Sequence, residues 1–378
     1  MNYDFTSDIG LRPDQLDTPA LLLDLDILCE NIEKMASYLD SVGIGLRPHV
    51  KSHKCSGIAR YQLSGGAVGI STASLSEAME LVRAGISNIL ITSPITCEHK
   101  MMTLTEIASI HTELMTVVED PEYAVRLNEA AKTVGTVLKV LVNIDSGSGR
   151  TGIKLGAALK LGKQISAMTN LQLCGIQCYC DKLQQLTGYN DRKLKSFDVM
   201  SRAVKLRETF LAEGLECQIL TGGGTGTFDI DAEITGITDI QAGAYCLMDA
   251  RYRQVDIGDN DCGFNLFEPA ASVLTTVVSS HGDNSVIVDA GYEAIYHIPG
   301  IVPHVIEPAG KGYKYEWIDD TYGRITFPKA DSKPQNGEKI RLSLTDCAPT
   351  VNLYDCYHVT SQNRVVHLWP IDLRGCCR

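Results

Sequence analysis

Apolar runs along the chain alternate with segments whose apolar positions recur at helical spacing. Residues 18–28, TPALLLDLDIL, read as a strand with a turn signal before it. Ile27, Leu28, Ile32, Met35, Ala36 and Leu39 then share one helical face over 27–40. GIGLRPHVK predicts a short strand that ends in a polar cluster, and AVGISTAS another strand. SLSEAMELVRAG predicts a helix with Ser74 as N-cap, Glu77 completing a capping box and Gly85 as its stop. NILITSP, LKVLVNID, LQLCGIQCY, CQILTGGG and DIQAGAYCLMD continue the alternation.

Continuous apolar strands separated by helices predict a parallel α/β architecture. Seven or eight such units between Thr18 and Arg253 fit a (β/α)8 barrel better than an open sheet. Four polar clusters, RPHVKSHK, NIDSGSGR, CYCDKL and TGGGTGT, come directly after strands. That is the rim on which barrels carry their active sites. After about residue 265 the pattern changes. SVLTTVVSS, SVIVDAG, KIRLSLTD, NLYDCYHVT and RVVHLWPI are short, β-branched and punctuated by Gly, Asn, Asp and Pro. The expected division is a barrel over 18–265 and a β-rich domain over 266–378, joined by residues 1–17.

Composition narrows the partners. The formal net charge of -12 argues against nucleic acid and anionic membrane surfaces. No apolar run is long enough to span a bilayer. The opening MNYDFTSDIGLRPDQ has no basic or apolar leader pattern, so a cytoplasmic location is expected. The 13 cysteines are expected as reduced thiols. The close pairs Cys178/Cys180 and Cys376/Cys377 give no CxxC for zinc.

Three clusters carry candidate chemistry. Arg47 to Lys54 puts five basic-type side chains into eight residues at a strand end. A solvated basic loop is the plain alternative. A Schiff-base lysine, however, needs neighbouring cations to keep it nucleophilic, and this cluster would supply them. Thr221–Gly222–Gly223–Gly224–Thr225–Gly226–Thr227 follows a strand, and its glycines would let backbone N–H groups approach a phosphate. A plain glycine turn is the alternative, and the segment matches neither a P-loop nor GxGxxG. Arg150, just past a strand in NIDSGSGRTG, is either a surface residue or a donor to a cofactor oxyanion.

RPHVKSHK, DSGSGRTG, TGGGTGT and QAGAYCLMD, followed by PTVNLYD and WPIDLRG, resemble the D-threonine aldolase / D-serine dehydratase family. The ending looks closest to its 3-hydroxyaspartate aldolase and dehydratase members. The resemblance runs from Leu16 to the C-terminus. It implies an alanine-racemase-like barrel carrying pyridoxal 5'-phosphate (PLP), a C-terminal β domain, a small amino-acid substrate and a homodimer. By motif, Lys51 matches the lysine that carries the cofactor. Arg150 matches the arginine near its phenolic oxygen, and Gly222, Gly223, Gly224 and Thr225 its phosphate cradle. Tyr179 and Tyr245 lie in segments that line it.

The departures bear on mechanism. Where the family reads H-x-C-P-T or H-x-D-P-T, with His and Cys or Asp binding a divalent metal, this chain has Asp346, Cys347 and Ala348. Alanine cannot ligate, so no metal is expected there. Cys180 stands where the family commonly has histidine after the tyrosine. Three readings follow. One is a lyase on a D-3-hydroxy amino acid, aldolase or dehydratase, with Asp346 acting directly on the 3-hydroxyl. The second is a metal-independent racemase or epimerase with Lys51 and Cys180 as its two bases. The third is a PLP-binding protein without turnover.

Overall fold

The computed structural model describes residues 5–258, 264–280, 284–328 and 333–376. His281 and Cys377 lie outside them. The chain divides into two compact units. One comprises Met1–Ile32, Ser52–Gly57 and Ala244–Arg374, the other Glu33–Lys51, Ile58–Gly243 and Gly375–Arg378.

In chain order the first elements are β1 (Ala20–Asp24), α1 (Leu25–Ser41), β2 (Gly45–Leu46), α2 (Ser56–Ser64), β3 (Ile70–Thr72) and α3 (Leu75–Arg83). Then come β4 (Ile89–Ile91), α4 (Glu98–Ile110), β5 (Met115–Val118), α5 (Pro121–Val134), β6 (Leu138–Ile144) and α6 (Leu155–Ser166). β7 (Leu171–Cys178), α7 (Tyr189–Ala212), β8 (Ile219–Gly222), α8 (Phe228–Asp231) and β9 (Asp239–Ile240) follow.

β2 to β9 form an eight-stranded parallel sheet whose neighbours follow chain order, with β9 returning to β2. Past the end of β2 the chain reaches β3 as well. Val68 N donates to Leu46 O at 2.8 Å, Ser71 N donates to Pro48 O at 2.8 Å, and His49 bridges Ser71. The ring therefore closes, as the strand–helix alternation predicts. Its strands are mostly apolar: Leu90, Met115, Val117, Leu141 and Cys174 pack into one buried cluster. Helix ends obey local chemistry. The Ser74 side chain caps α3 by accepting from Glu77 N, and the Asp120 side chain caps α5 by accepting from Tyr123 N at 2.8 Å. Pro121 fills the first turn of α5, and Gly135 ends it at φ 76°.

β1 does not join the barrel. It pairs antiparallel with β10 (Ala271–Ser279), and parallel with a strand near the C-terminus, in a separate sheet. That sheet continues through β11 (Ser285–Val288), β12 (Val305–Glu307), β13 (Lys314–Trp317), β14 (Gly323–Thr326) and β15 (Lys339–Ser343). After a short α9 (Cys347–Val351), β16 (Cys356–Ser361), the parallel partner of β1, and β17 (Arg364–Pro370) complete it. The order is β13-β14-β11-β10-β1-β16-β17, with β12 and β15 attached beside β10, and its pairings are antiparallel apart from β1–β16. Leu16, Ala20, Leu22, Leu274 and Val365 form its core. The barrel and the separate β-rich sheet are the fold class expected from the sequence.

Candidate active site

The segment Arg47–Lys51 leaves β2 at the C-terminal end of the barrel strands. It does not gather its cations around Lys51, and here the structure corrects the reading of the basic cluster. Arg47 turns the other way. Its guanidinium is buried against Asp239 Oδ1 at 3.3 Å and donates to Asn88 O and Oδ1 at 3.2 and 3.0 Å. Asp239 begins β9 and Asn88 precedes β4, so this ion pair lies at the opposite end of the strands. His49 is buried and accepts the backbone N–H of Lys51 at Nδ1, 3.2 Å away, which is a role for an uncharged ring.

Lys51 itself is exposed, in the one-turn helix Val50–Ser52. Its Nζ lies 5.7 Å from the ring centroid of Tyr179. The Arg150 guanidinium lies 5.2 Å from the same centroid. The cation that shares this ring with Lys51 therefore comes from the loop after β6. That loop is shaped by Asp145, whose Oδ1 accepts Gly147 N at 2.8 Å and Gly149 N at 3.3 Å. Lys182 Nζ adds a bond to Ser148 O at 2.7 Å. Tyr179 directly follows β7. Burial pushes its hydroxyl up to about 12, with Arg150 opposing, so the ring stays neutral. Cys180 is half-buried beside it, and its carbonyl accepts Gln184 Nε2 at 3.4 Å.

Beneath these groups runs a ladder of amides that sequence reasoning passed over. Gln177 Nε2 donates to Asn143 Oδ1 and Thr92 O, both at 3.0 Å. Gln241 Nε2 donates to Gln177 Oε1 at 3.2 Å and Thr221 Oγ1 at 3.1 Å. Asn143 Nδ2 completes the ladder on Glu119 Oε2 at 2.7 Å. These residues end neighbouring strands and form a polar floor. Their signal in the sequence was a polar side chain inside an otherwise apolar strand.

The glycine segment leaves β8 with Thr221 to Thr227 all buried. Its far half is satisfied internally: Gly226 N donates to Gln184 Oε1 at 3.0 Å and Thr227 N donates to Gly224 O at 3.1 Å. The N–H groups of Gly223 and Gly224 have no hydrogen-bond partner among the described residues. Two buried donors left open are costly unless an acceptor arrives, and they fit the oxygens of a phosphate. Gly223 is also required sterically. Its φ is +63°, and a β-carbon there would overlap Asp231 Oδ2.

Tyr245 and Asp346 belong to the other unit. Tyr245 is fully buried, with its ring edge-on to Phe267 at 5.6 Å. Asp346 caps no helix N–H through its side chain; its Oδ2 accepts Arg251 Nη1 at 3.0 Å. Cys347 is buried, and its N–H donates to Asp249 Oδ2 at 3.0 Å. Burial, with Asp249 and Asp346 nearby, pushes its thiol well above the usual range. The segment does not fit a divalent cation. Its carboxylate is engaged by a guanidinium, its thiol resists ionisation, and Ala348 offers no donor atom. Among the described residues no three His, Cys, Asp or Glu side chains are grouped to hold a metal. No helix among them is long and apolar enough to cross a membrane.

Comparison with known proteins agrees with this architecture. Residues 23–245 match the family described as alanine racemase, N-terminal domain, and residues 270–360 match a serine dehydratase domain. The chain is 31% identical to a 3-hydroxy-D-aspartate aldolase of Paracoccus denitrificans, over 99% of this chain and 96% of the relative. It is 32% identical to a D-threonine aldolase of an Arthrobacter species, over 96% and 94%. The crystal structure of D-threonine aldolase from Filomicrobium marinum superposes with a TM-score of 0.88 at 32% identity, covering 97% of this chain and 98% of that one.

Proposed function

Because this chain belongs to the alanine racemase N-terminal domain family and carries a serine dehydratase domain besides, we propose that it is a PLP-dependent lyase acting on a small D-3-hydroxy amino acid. The observation that carries the proposal is the grouping of Lys51 and Arg150 on one neutral ring, that of Tyr179, at the end of the strands. The open N–H pair of Gly223 and Gly224 supports it.

When bound, PLP supplies an electron sink for a bond broken at the substrate's Cα. The chain's own groups do the rest. Lys51 would hold the cofactor through Nζ and would move the proton at Cα. Arg150 would donate to the cofactor's ring oxygen. Gly222, Gly223, Gly224 and Thr225 would take the phosphate, and Tyr179 and Tyr245 would line the cofactor. Asp346 takes the proton from the substrate's 3-hydroxyl when the Cα–Cβ bond breaks. No metal takes part, because residues 346–348 do not fit one. The working form is a homodimer.

The test is a product assay with D- and L-serine, threonine and 3-hydroxyaspartate. The proposal predicts glycine plus an aldehyde, or a keto acid plus ammonia, from one of the D substrates. Solvent deuterium entering Cα without either product would favour the racemase reading with Lys51 and Cys180. The half-buried place of Cys180 beside Tyr179 is what keeps that reading open. Bound cofactor with neither outcome would leave a binding protein without turnover.

A further inference from the structure

We propose that His49 is a positioning residue, a neutral imidazole with its proton on Nε2, that fixes the backbone from which Lys51 projects. The inference rests on the reading of Lys51 as the cofactor-bearing lysine.

Two independent hydrogen bonds assign the proton. At one end of the ring, Nδ1 receives the Lys51 backbone N–H at 3.2 Å. A backbone amide can only donate, so Nδ1 accepts and bears no hydrogen. At the other end, Nε2 lies 3.2 Å from Thr92 Oγ1. That hydroxyl has one hydrogen, which it gives to Thr72 O at 3.0 Å. Towards His49 the hydroxyl can therefore only accept, and Nε2 must carry the proton. Both ends demand the same neutral tautomer, and an imidazolium would set two N–H groups against each other at Nδ1.

The anchoring is rigid. His49 is 8% exposed, its own N–H donates to Ala242 O at 3.2 Å, and its backbone bridges Ser71. The Thr92 carbonyl is held in turn by Gln177 Nε2 at 3.0 Å. The ring thus spans from the chain just beyond β2 to that just beyond β4. In the one-turn helix only Lys51 is exposed, Val50 and Ser52 being buried, so the tether acts at the one residue whose side chain leaves the packed segment. A lysine that must meet both a cofactor carbonyl and a substrate Cα needs that constraint.

Substitutions separate the tether from the strand tie. In His49→Asn, the short side chain can still accept the N–H two residues on, as in an Asx turn, but cannot reach Thr92. In His49→Gln, the amide can reach Thr92 but offers nothing at the Nδ1 position. The expected order is kcat near wild type for His49→Asn, and about 10- to 100-fold lower for both His49→Gln and His49→Ala, with KM changed far less. Faster amide hydrogen exchange at Lys51 should accompany the two slow variants and not His49→Asn. In the wild-type holoenzyme, 15N–1H NMR should place the His49 proton on Nε2. A proton on Nδ1, or rescue by Gln and not by Asn, would overturn the proposal, as would equal kcat in all three variants. The wild-type NMR assignments stand whatever the substituted chains do in folding. They also separate this inference from the role of Lys51: covalent cofactor retained in Lys51→Ala would refute the latter and leave the tautomer assignment intact.

Discussion

Asp231 packs its carboxylate against Gly223 so closely that a β-carbon on the glycine would overlap Oδ2. The same carboxylate accepts Ser196 Oγ at 2.5 Å and Thr227 Oγ1 at 2.6 Å, tying α7 to the glycine segment. Gly223 therefore answers to the protein's own packing as well as to any phosphate. Gly223→Ala should cost about 1–2 kcal/mol for a side chain at φ +63°. Overpacking against Asp231 should add about 1–3 kcal/mol. Gly223→Val should be worse. In variants that still fold, PLP affinity should fall sharply, measured by fluorescence titration of the apoprotein. Affinity equal to wild type would remove this segment from the site.

Asp231 also gives a pH dependence with a definite sign. Burial raises its pKa from 3.8 to about 6, against the opposing hydrogen bonds of Ser196 and Thr227. Asp249 in the other unit is raised to about 6 by burial and by Asp346. Between about pH 4 and 6 the folded chain holds these protons while the unfolded chain has released them. Stability from these groups therefore falls as pH rises through that window, and the cost is complete above it. Each contributes up to about 3 kcal/mol. Asp231→Asn should make the urea midpoint less sensitive to pH between about 4 and 6. At the upper end it should raise the midpoint relative to wild type. An unchanged pH response would mean that Asp231 does not titrate in this range.

Lys51→Ala should abolish the visible absorption band of the lysine-linked cofactor and its fixation by borohydride. Fold and thermal unfolding should change little, because Lys51 is exposed and its tether to His49 runs through the backbone. The measurements are an absorption spectrum and mass spectrometry after reduction. A labelled chain in the variant would place the linkage on another lysine.

How much of this was legible in the sequence differs from element to element. Strands such as β6, with only Lys139 less than fully buried, show themselves as apolar runs, and the α3 cap at Ser74 follows from local chemistry. β5, Met115–Val118, is four residues long and drew no prediction, and neither did β12 to β14. The membership of β1 could not be read. An apolar strand looks alike in either sheet, and its partners at Leu274 and His358 are more than two hundred residues away. The same distance hid the direction of Arg47. Composition put it beside Lys51, but Asp239 takes it to the far end of the barrel. The motifs singled out Lys51, Arg150 and the glycine segment, and Lys51 and Arg150 share the Tyr179 ring. The floor of Asn143, Gln177 and Gln241 emerged only once β6 to β9 lay side by side.

Arg251 and Asp346 lead to the last prediction, which concerns metal. Their ion pair is set by backbone pairing, since Ala250 N donates to Leu344 O at 2.9 Å and Arg251 N donates to Thr345 O at 3.2 Å. A divalent ion binding Asp346 would have to displace that guanidinium. It would find no donor at Ala348, and at Cys347 it would have to ionise a buried thiol whose pKa is pushed well above the usual range. Changes outside the ligand sphere alone can lower affinity 10- to 100-fold. Losing a ligand and occupying the other should cost more. Activity should therefore survive dialysis against EDTA and gain nothing from added manganese or zinc, and elemental analysis should give well under one metal per chain. Asp346→Ala should remove lyase turnover while leaving cofactor binding intact, because Asp346 is proposed to act on the substrate's 3-hydroxyl and not on the cofactor. Arg251→Ala should weaken substrate turnover without making it metal-dependent, since Ala348 still supplies no ligand. Activity lost to chelator and restored by manganese would sink the metal-free reading, and would require a ligand set that residues 346–348 do not provide.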